Sequence, residues 1–392
     1  MKFNSNPVRG TFDVLPQDME LRNWVQDTIK KVYRERGYMQ IETPCIENLD
    51  LLNDGEGGEN LRLLFKILKR GEKLTFDELS ENALCDLGLR FDLTLPLSRF
   101  YANNRNELPT PFKAFQMGYV WRAERPQKGR FRQFTQCDID IIGDKTIYAE
   151  IDILLTLPKA IESLGFKNFT IKINDRRLLK DIVVGAGFKE EDFDSICITL
   201  DKMDKVGQEG VTEELVSKGY RKEDIEKLLA QLNTNIGNFD NQYARELQKA
   251  IDVVSKYYPI EFEPTLVRGM GYYTGAIFEI VSDEFRGSIA GGGRYDNLLS
   301  KFQRDSIPAV GFSIGFERIV TILKEKNFKI PKEQKKIALV FTEDELLDQV
   351  INRIEDLTKE GNIATMVNVT RNKLGKKISQ LEEQGYEVEV IK

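Results

Sequence analysis

The sequence predicts an α+β protein that carries a small α/β module at its C-terminal end. Three observations predict it. Two alternating apolar runs flank a basic turn near residue 125, glycine-punctuated strands occur between about 264 and 314, and a β-α-β-α-β pattern begins at residue 336. The chain has 392 residues, of which 41% are hydrophobic. This length suggests two or three domains with a sizeable core.

The first predicted element is a helix in MELRNWVQDTIKKVYRERG, residues 19–37, where apolar residues recur at helical spacing before a glycine. YMQIETPCIE alternates like a strand and is interrupted by Pro44. Residues 61–76 are interpreted as hairpin material, and a helix is predicted to begin near Leu95.

Two further strands, FKAFQMGYVWRAE at 112–124 and RFRQFTQCDIDIIG at 130–143, flank the basic turn and are predicted to pair antiparallel. Residues 145–165 form an amphipathic helical pattern. The stretch from about 166 to 258 is helical and charged and contains the strand FTIKIN. We therefore expect an inserted helical module there.

Strands return in residues 264–283 and 288–299, and residues 310–326 run from a strand into a helix. The run AGGGRYD lacks the spacing and the lysine of a Walker A loop, so close strand packing explains it better.

Residues 326–335 are polar, contain a proline and are predicted to be a linker. The expected domains are therefore residues 1–325, including the inserted module, and residues 336–392.

Composition excludes several classes of protein. A net charge of −6 argues against a general nucleic-acid binder but allows a local basic groove. No apolar run approaches membrane-spanning length, and the N-terminal residues lack the apolar core of a signal peptide. The four cysteines are far apart and include no CxxC pair, so a reducing cytoplasmic setting is expected.

The sequence contains no histidine. This absence excludes Ser–His nucleophiles, His–metal sites and histidine general bases. Any catalysis must therefore use carboxylates, arginines, lysines, tyrosines and bound ions.

The basic turn is a candidate phosphate site. Its arginines are Arg122, Arg125, Arg130 and Arg132. Guanidinium groups match phosphate oxygens in a bidentate manner, and the interleaved Phe131 and Phe134 can stack on a purine. The alternative is a solvated charged hairpin.

Polar residues near the turn are candidates for binding an amine. Glu124 can accept from an exocyclic amine, whereas Gln136 and Asp140 lie on one side of the following strand and can bind an ammonium group. Asp92 and Thr94 share a face if LRFDLT is extended, although a lone acid in a strand is usually a surface residue.

Two other arginines lie in apolar surroundings. Arg268, in TLVRGMGYYTG, is costly there unless it meets an anion or a core carboxylate. The adjacent Tyr272 and Tyr273 are, taken alone, more often core aromatics than ligand contacts. Arg318 begins a helix after a glycine-punctuated strand.

Taken together, these segments resemble the class II aminoacyl-tRNA synthetases, specifically the histidyl-tRNA synthetase family. In chain order the matching segments are PCIE, LRFDLTLP, RAERPQKGRFRQFTQCDID, LVRGMGYYTGAIFE and GFSIGFERI. The resemblance covers nearly the whole chain. It implies a mostly antiparallel catalytic sheet flanked by helices, a helical insertion, and a shortened anticodon-binding-like C-terminal domain.

The resemblance also implies residue roles. Arg122 and Arg268 would be catalytic, facing the α-phosphate from opposite sides. The residues implied for ATP are Arg122, Glu124, Arg130, Phe134 and Arg318. Those implied for the amino acid are Asp92, Leu93, Thr94, Arg122, Gln136, Asp140, Arg268, Tyr272 and Tyr273. Gln127 and Arg132 would meet the acceptor end of tRNA, and the motif at Pro44 marks a homodimer interface.

The implied reaction needs no histidine in the protein. A substrate carboxylate attacks the α-phosphate of ATP, so catalysis consists of positioning and of charge neutralisation by arginines and Mg²⁺. No protein side chain is assigned to the metal. The implied activity is histidine–tRNA ligase, with histidine, ATP and tRNA(His) as substrates.

Two alternatives stay open at this point. One is a paralogous ligase that activates histidine or another amino acid for an acceptor other than tRNA. The other is a histidine-sensing regulatory subunit of ATP phosphoribosyltransferase, although a sensor has no use for Arg122, Glu124, Arg268 and Arg318 together.

The missing histidines suggest a separate hypothesis. A histidine-charging enzyme without histidine can still be translated when charged tRNA(His) is scarce, whereas drift in an AT-rich genome is the competing explanation. Ala123 and Thr135 stand at motif positions where relatives often carry histidine.

Overall fold

The chain divides into two compact units, Met1–Asn327 and Phe328–Lys392. The computed structural model describes residues 4–53, 63–76, 79–127, 129–267, 272–302, 306–331 and 334–392. Within these ranges no helix combines the length and the apolar character needed to cross a membrane.

The first unit contains eleven strands and eleven α-helices among the described residues. The strands are β1 (Met39–Gln40), β2 (Ile46–Asn48), β3 (Lys66–Leu68), β4 (Cys85–Leu89), β5 (Phe112–Trp121), β6 (Gln133–Ile142), β7 (Phe169–Asp175), β8 (Ile260–Phe262), β9 (Ala276–Ser282), β10 (Phe285–Arg294) and β11 (Ala309–Ile314). The helices are α1 (Pro16–Glu35), α2 (Leu49–Asn53), α3 (Glu81–Leu84), α4 (Thr94–Asn104), α5 (Ile147–Ser163), α6 (Arg176–Ala186), α7 (Phe193–Leu200), α8 (Met203–Ser217), α9 (Lys222–Leu232), α10 (Gln242–Val254) and α11 (Phe316–Glu325).

The main sheet has eight strands in the order β1-β5-β6-β11-β10-β9-β7-β8. Its inner pairs are antiparallel, and only the two edge pairs, β1–β5 and β7–β8, are parallel. A smaller antiparallel sheet has the order β2-β4-β3. The predicted α+β class with a mostly antiparallel sheet is confirmed.

The strands β5 and β6 form the predicted antiparallel pair, in register from Phe112 opposite Ile142 to Trp121 opposite Gln133. The arginines of the basic turn lie in the segment between these strands rather than on the strands themselves. Because side chains alternate along β6, Cys137 and Ile139 point to one face, and Gln136, Asp138 and Asp140 point to the other. The polar face of β6 provides one wall of the candidate site.

The strand FTIKIN differs from the expectation of an inserted module with a strand of its own. It is β7, which pairs antiparallel with β9 and parallel with β8 and is therefore part of the main sheet. Ile171 and Ile173 are fully buried, and the pairing satisfies backbone groups that would otherwise be unpaired in the core. The helices α6 to α10 connect β7 to β8.

The glycine run in β10 serves close strand packing, as the sequence predicts. A Cβ atom on Gly292 would lie 2.1 Å from the carbonyl oxygen of Gly311 on β11. A Cβ on Gly311 would in turn lie 2.1 Å from Oδ1 of Asp140. These glycines therefore make room both for the neighbouring backbone and for a buried carboxylate.

The second unit has the predicted β-α-β-α-β order, with β12 (Lys336–Phe341), α12 (Leu347–Lys359), β13 (Ile363–Asn368), α13 (Leu374–Glu383) and β14 (Glu387–Val390). Its three strands are parallel in the order β13-β12-β14. Leu339 packs with Val350 of α12, and Val340 packs with Leu381 of α13. The sheet is thus covered by one helix on each face, as right-handed crossovers require.

Candidate functional site

A cavity of about 320 Å³ lies in the first unit, against the polar face of β6. Most of the site residues predicted from the sequence line it: Thr94, Arg122, Glu124, Arg130, Phe134, Gln136, Asp140, Tyr272, Tyr273 and Arg318. These residues come from segments up to 224 positions apart in the chain (94 to 318). The fold therefore assembles one site from motifs that are separate in the sequence.

Arg122 is fixed at the edge of this cavity. Its Nε donates to the carbonyl oxygen of Phe91 at 2.9 Å, and its guanidinium carbon lies 5.1 Å from the centroid of the Phe134 ring. Its Nη1 is 4.0 Å from a carboxylate oxygen of Glu124. One edge of the guanidinium is thus held by backbone and aromatic contacts.

Two further arginines line the same end of the cavity. Arg130 is about half exposed, and its Nη1 lies 3.8 Å from Glu124. Arg318 donates to the carbonyl oxygen of Ser288 and lies with its guanidinium carbon 5.8 Å from the centroid of the Phe285 ring. Three guanidinium groups around one pocket make this end suitable for a polyphosphate.

The opposite end is built by β6 and its neighbours. The Nε2 atom of Gln136 donates to both oxygens of Asp138, at 3.0 and 3.3 Å. Ser313 of β11, directly opposite Asp138, also donates to that carboxylate. The hydroxyl of Tyr295 donates to Oδ1 of Asp140 at 2.5 Å. This end therefore presents buried acceptors.

Burial changes the acidity of these carboxyl groups. It raises the pKa of Asp92 to about 6, against the opposing effects of the Leu95 backbone N–H and of Arg122. It raises the pKa of Asp138 to about 7. The pKa of Asp140 lies well above its usual range because of burial and the adjacent Asp138. A cation that enters this end would stabilise the ionised forms.

Two buried acceptors, one at this end of the wall and one behind it, have no hydrogen-bond partner among the residues that the structure describes. They are Oδ2 of Asp92 and Oε1 of Gln136. An unpaired buried acceptor costs about 1–3 kcal/mol, so a donor on a ligand would recover that free energy.

Some predicted residues lie outside the cavity wall. Asp92 and Leu93 are almost completely buried, and the carbonyl oxygen of Leu93 accepts from Gln116. Gln127 pairs through its backbone with Arg130, and the backbone N–H of Arg132 donates to Gly10. Gln127 and Arg132 therefore belong to the connecting segment. Arg268 falls in residues 268–271, outside the described part of the chain.

Several wall residues were not selected from the sequence: Asp138, Tyr295, Ser313 and Glu317. Asp138 stands two residues from both Gln136 and Asp140, so the two-residue period of a strand would have placed it on their face. Tyr295 and Ser313 reach the site through pairing of distant strands, for which the sequence carries no local signal.

A buried ion pair holds together three elements next to the cavity. Arg22 of α1 binds both carboxylate oxygens of Glu317 at 2.6 and 2.8 Å, and each side chain is about 5% exposed (4% and 6%). Glu317 also accepts from the backbone N–H of Thr135 at 3.2 Å. This pair ties α1 and α11 to β6 between Phe134 and Gln136.

The acids of the site do not form a metal cage. Among the described residues, no group of three or more aspartate, glutamate or cysteine side chains has the arrangement to hold a metal ion.

Comparison with known proteins adds an independent result. The family model described as Histidyl-tRNA synthetase matches residues 10–319. A histidine–tRNA ligase of Leifsonia xyli is 41% identical, and the match covers 81% of this chain and 80% of that protein. A histidine–tRNA ligase of Christiangramia forsetii is 34% identical over 96% of this chain and 89% of its own length.

Solved structures show the same relationship. The crystal structure of histidyl-tRNA synthetase from Nostoc sp. PCC 7120 matches with a TM-score of 0.83 at 26% identity, covering 98% of this chain and 90% of that one. A Bacillus halodurans protein described as an ATP phosphoribosyltransferase regulatory subunit/histidyl-tRNA synthetase matches with a TM-score of 0.80 at 22% identity, covering 100% of this chain and 98% of that one. This second likeness concerns the fold alone.

Proposed function

The chain belongs to the histidyl-tRNA synthetase family, and from this premise we propose that it activates histidine with ATP and transfers it to tRNA(His). It is accordingly a ligase. The observation that carries the choice of substrates is the composition of the cavity wall, which combines three guanidinium groups with buried carboxylates. The molecule that fits carries phosphates at one end and cationic nitrogen at the other.

The guanidinium end would bind the nucleotide. Phe134 offers a ring for the adenine, Glu124 an acceptor for its amino group, and Arg130 and Arg318 would hold the outer phosphates. MgATP would be the substrate, with its ion carried by the phosphates. Arg122, at the guanidinium end of the cavity, would neutralise the α-phosphate as the histidine carboxylate attacks it.

The carboxylate end would bind histidine. The unpaired acceptors of Asp92 and Gln136 suit donors on an ammonium or an imidazole group. Asp140, Thr94, Tyr272 and Tyr273 complete this end. The attacking carboxylate is ionised at neutral pH, so the first step needs no general base, in agreement with a chain that has no histidine.

Attack on the α-phosphorus forms the bond from a carboxylate oxygen to phosphorus and breaks the bond to the bridging oxygen, which leaves with pyrophosphate. In the second step a terminal ribose hydroxyl of tRNA would attack the acyl carbon, releasing AMP. Gln127 and Arg132, on the segment between β5 and β6, are candidates for contacts with the acceptor end. Arg268 is proposed as a second group at the α-phosphate.

The chain is also proposed to act as a cytoplasmic homodimer. Apolar side chains near Pro44 are exposed in the isolated chain, with Met39 at 41% and Ile46 at 50%. Light scattering on the purified protein would test the dimer, and a mass equal to one chain would contradict it.

The decisive experiment is pyrophosphate–ATP exchange with each of the twenty amino acids, followed by charging of tRNA. Exchange with histidine and charging of tRNA(His) are expected. Exchange without charging would instead identify a ligase with another acceptor. Histidine binding without exchange for any amino acid would identify a sensor and overturn the proposed activity.

A further inference from the structure

Asp138 is a buried wall residue to which the proposed reaction gives no role. It is 4% exposed and stands between Gln136 and Asp140 on the same face of β6. Its carboxylate oxygens accept from the amide of Gln136 and from the hydroxyl of Ser313. Both oxygens are thus already engaged by protein donors.

These contacts determine which way the Gln136 amide points. The hydrogen bonds that Ser313 and Gln136 donate favour the ionised form of Asp138. An ionised carboxylate can only accept, so in that form it must face the NH₂ group of the amide and cannot face its oxygen. The amide oxygen is thereby turned away from Asp138, and it is the buried atom for which the described residues supply no donor. Without Asp138, the two orientations of the amide would be much closer in free energy.

We propose that Asp138 is a positioning residue that locks the Gln136 amide so that its oxygen accepts from the ammonium group of the amino-acid substrate. This inference rests on the proposed activation of an amino acid and deepens it, because it assigns the selection for an ammonium-bearing substrate. Asp138 acts through Gln136 and does not itself touch the ligand.

The orientation of the Gln136 amide matters because its NH₂ group would repel the ammonium group of the substrate. An ammonium group donates only, so an NH₂ group aimed at it would leave both groups without an acceptor. A hydrogen bond to a charged group contributes about 1.5–3 kcal/mol, which corresponds to roughly ten- to hundredfold in affinity. Loss of the lock should therefore be measurable in histidine binding.

The first test is Asp138→Asn, which keeps the volume of the side chain. An asparagine can donate as well as accept, so it allows the Gln136 amide to point either way. The KM for histidine in pyrophosphate exchange is expected to rise about tenfold or more. The KM for ATP should stay within about twofold, because the hydrogen bonds to Asp138 come from Gln136 and Ser313 and not from the arginines of the guanidinium end.

A ligand without the ammonium group distinguishes positioning from general damage. For 3-(imidazol-4-yl)propanoate, which is histidine without its amino group, binding should change less than about twofold between wild type and Asp138→Asn. A role confined to holding the fold together would weaken both ligands equally, and that result would overturn the proposal.

The sharpest test is a rescue experiment in which the carboxylate is moved to position 136 and the amide to position 138. In Gln136→Glu/Asp138→Asn, residue 136 presents acceptors in either orientation, while the net charge and the volume of the pair are retained. Histidine affinity is expected to return to within about threefold of wild type. An unchanged defect in the double variant would mean that Asp138 does not act through Gln136.

The proposed function and this inference fail in different ways. If wild type shows no exchange with histidine, the activity is wrong, and calorimetric binding of histidine and its deaminated analogue still tests Asp138. If wild type exchanges normally and Asp138→Asn has an unchanged KM for histidine, the positioning role alone is wrong. The chain has no histidine of its own, so in untagged protein the imidazole NMR signals report only the ligand.

Discussion

Three aspartates, Asp92, Asp138 and Asp140, carry carboxyl groups whose pKa is raised chiefly by burial. Each group is therefore easier to ionise in the unfolded chain than in the folded protein. Burial of these carboxyl groups therefore lowers the stability of the ligand-free protein. A cationic substrate bound next to them would offset this free-energy cost.

We expect the free energy of unfolding of the ligand-free protein to contain a term that decreases from about pH 4 to about pH 7. In this window folded Asp138, with a pKa of about 7, keeps its proton, whereas the unfolded chain has released it. The folded state thus binds more protons, and stability falls as the pH rises. Urea denaturation of wild type and Asp138→Asn would test this, with a shallower decline expected for the variant; parallel profiles would contradict it.

At this scale the sequence predicted part of the site. Gln136 and Asp140 could be selected because strand alternation puts them on one face, and the same rule reaches Asp138. The resemblance implies a site role for Leu93, yet its side chain is buried in the core, and its backbone carbonyl accepts a hydrogen bond from Gln116. Tyr295 and Ser313 could not be found, because their position depends on the register between β10, β11 and β6.

At the scale of elements, the close approach of β10 and β11 depends on glycine. Gly292→Ala is expected to destabilise the protein by about 1–3 kcal/mol, since the added methyl group would meet backbone atoms of β11 that cannot rotate away. Gly185→Ala, in α6, is the control. Nothing lies within 4 Å of its added Cβ, and a gain of about 0.5–1 kcal/mol is expected. Equal effects of the two substitutions in denaturant unfolding would refute the packing argument.

The ion pair between α1 and α11 gives a second expectation. Arg22→Met leaves Glu317 buried without its guanidinium and should cost about 3–5 kcal/mol of unfolding free energy. Replacing both residues, as Arg22→Met/Glu317→Leu, should cost clearly less because no uncompensated charge remains. The free energies of unfolding of wild type, the single variant and the double variant can be compared in guanidinium chloride. A double variant as unstable as the single variant would show that the ion pair itself stabilises the fold.

Strand pairs between distant segments of the chain are harder to predict from the sequence than pairs between consecutive segments. The β5–β6 pair and the β-α-β-α-β order were accessible because each is encoded by consecutive segments with clear periodicity. The sequence places FTIKIN in a separate inserted module, because helical segments follow it directly. Its partners β8 and β9 lie about 90 residues or more further along the chain, and alternation alone does not identify a partner strand.

At the scale of the whole molecule, the cavity residues all belong to the unit Met1–Asn327, and the unit Phe328–Lys392 has its own core. Val340 is fully buried beneath α13, so Val340→Asp should disrupt the small unit. Histidine-dependent exchange is expected to stay within about twofold of wild type, because the cavity lies in the other unit. Charging of tRNA is expected to fall about tenfold or more, because the resemblance implies that this small unit binds the anticodon.

Met366→Asp is the matched control, because Met366 is 52% exposed in the same sheet. It should leave the near-ultraviolet circular dichroism and the thermal transition of the protein nearly unchanged. Loss of exchange in Val340→Asp would show that the first unit depends on the second.

The two ends of the cavity rest on different kinds of backbone. Gln136, Asp138 and Ser313 lie within paired strands, whereas Arg122 and Arg130 lie on the segment that joins β5 to β6 and Arg318 lies on α11. For protein engineering, this difference means that the strand positions can be varied separately from the β5–β6 segment. Libraries aimed at substrates with an altered amino group can be confined to a few strand positions, leaving the segment that is proposed to bind the nucleotide at its natural sequence.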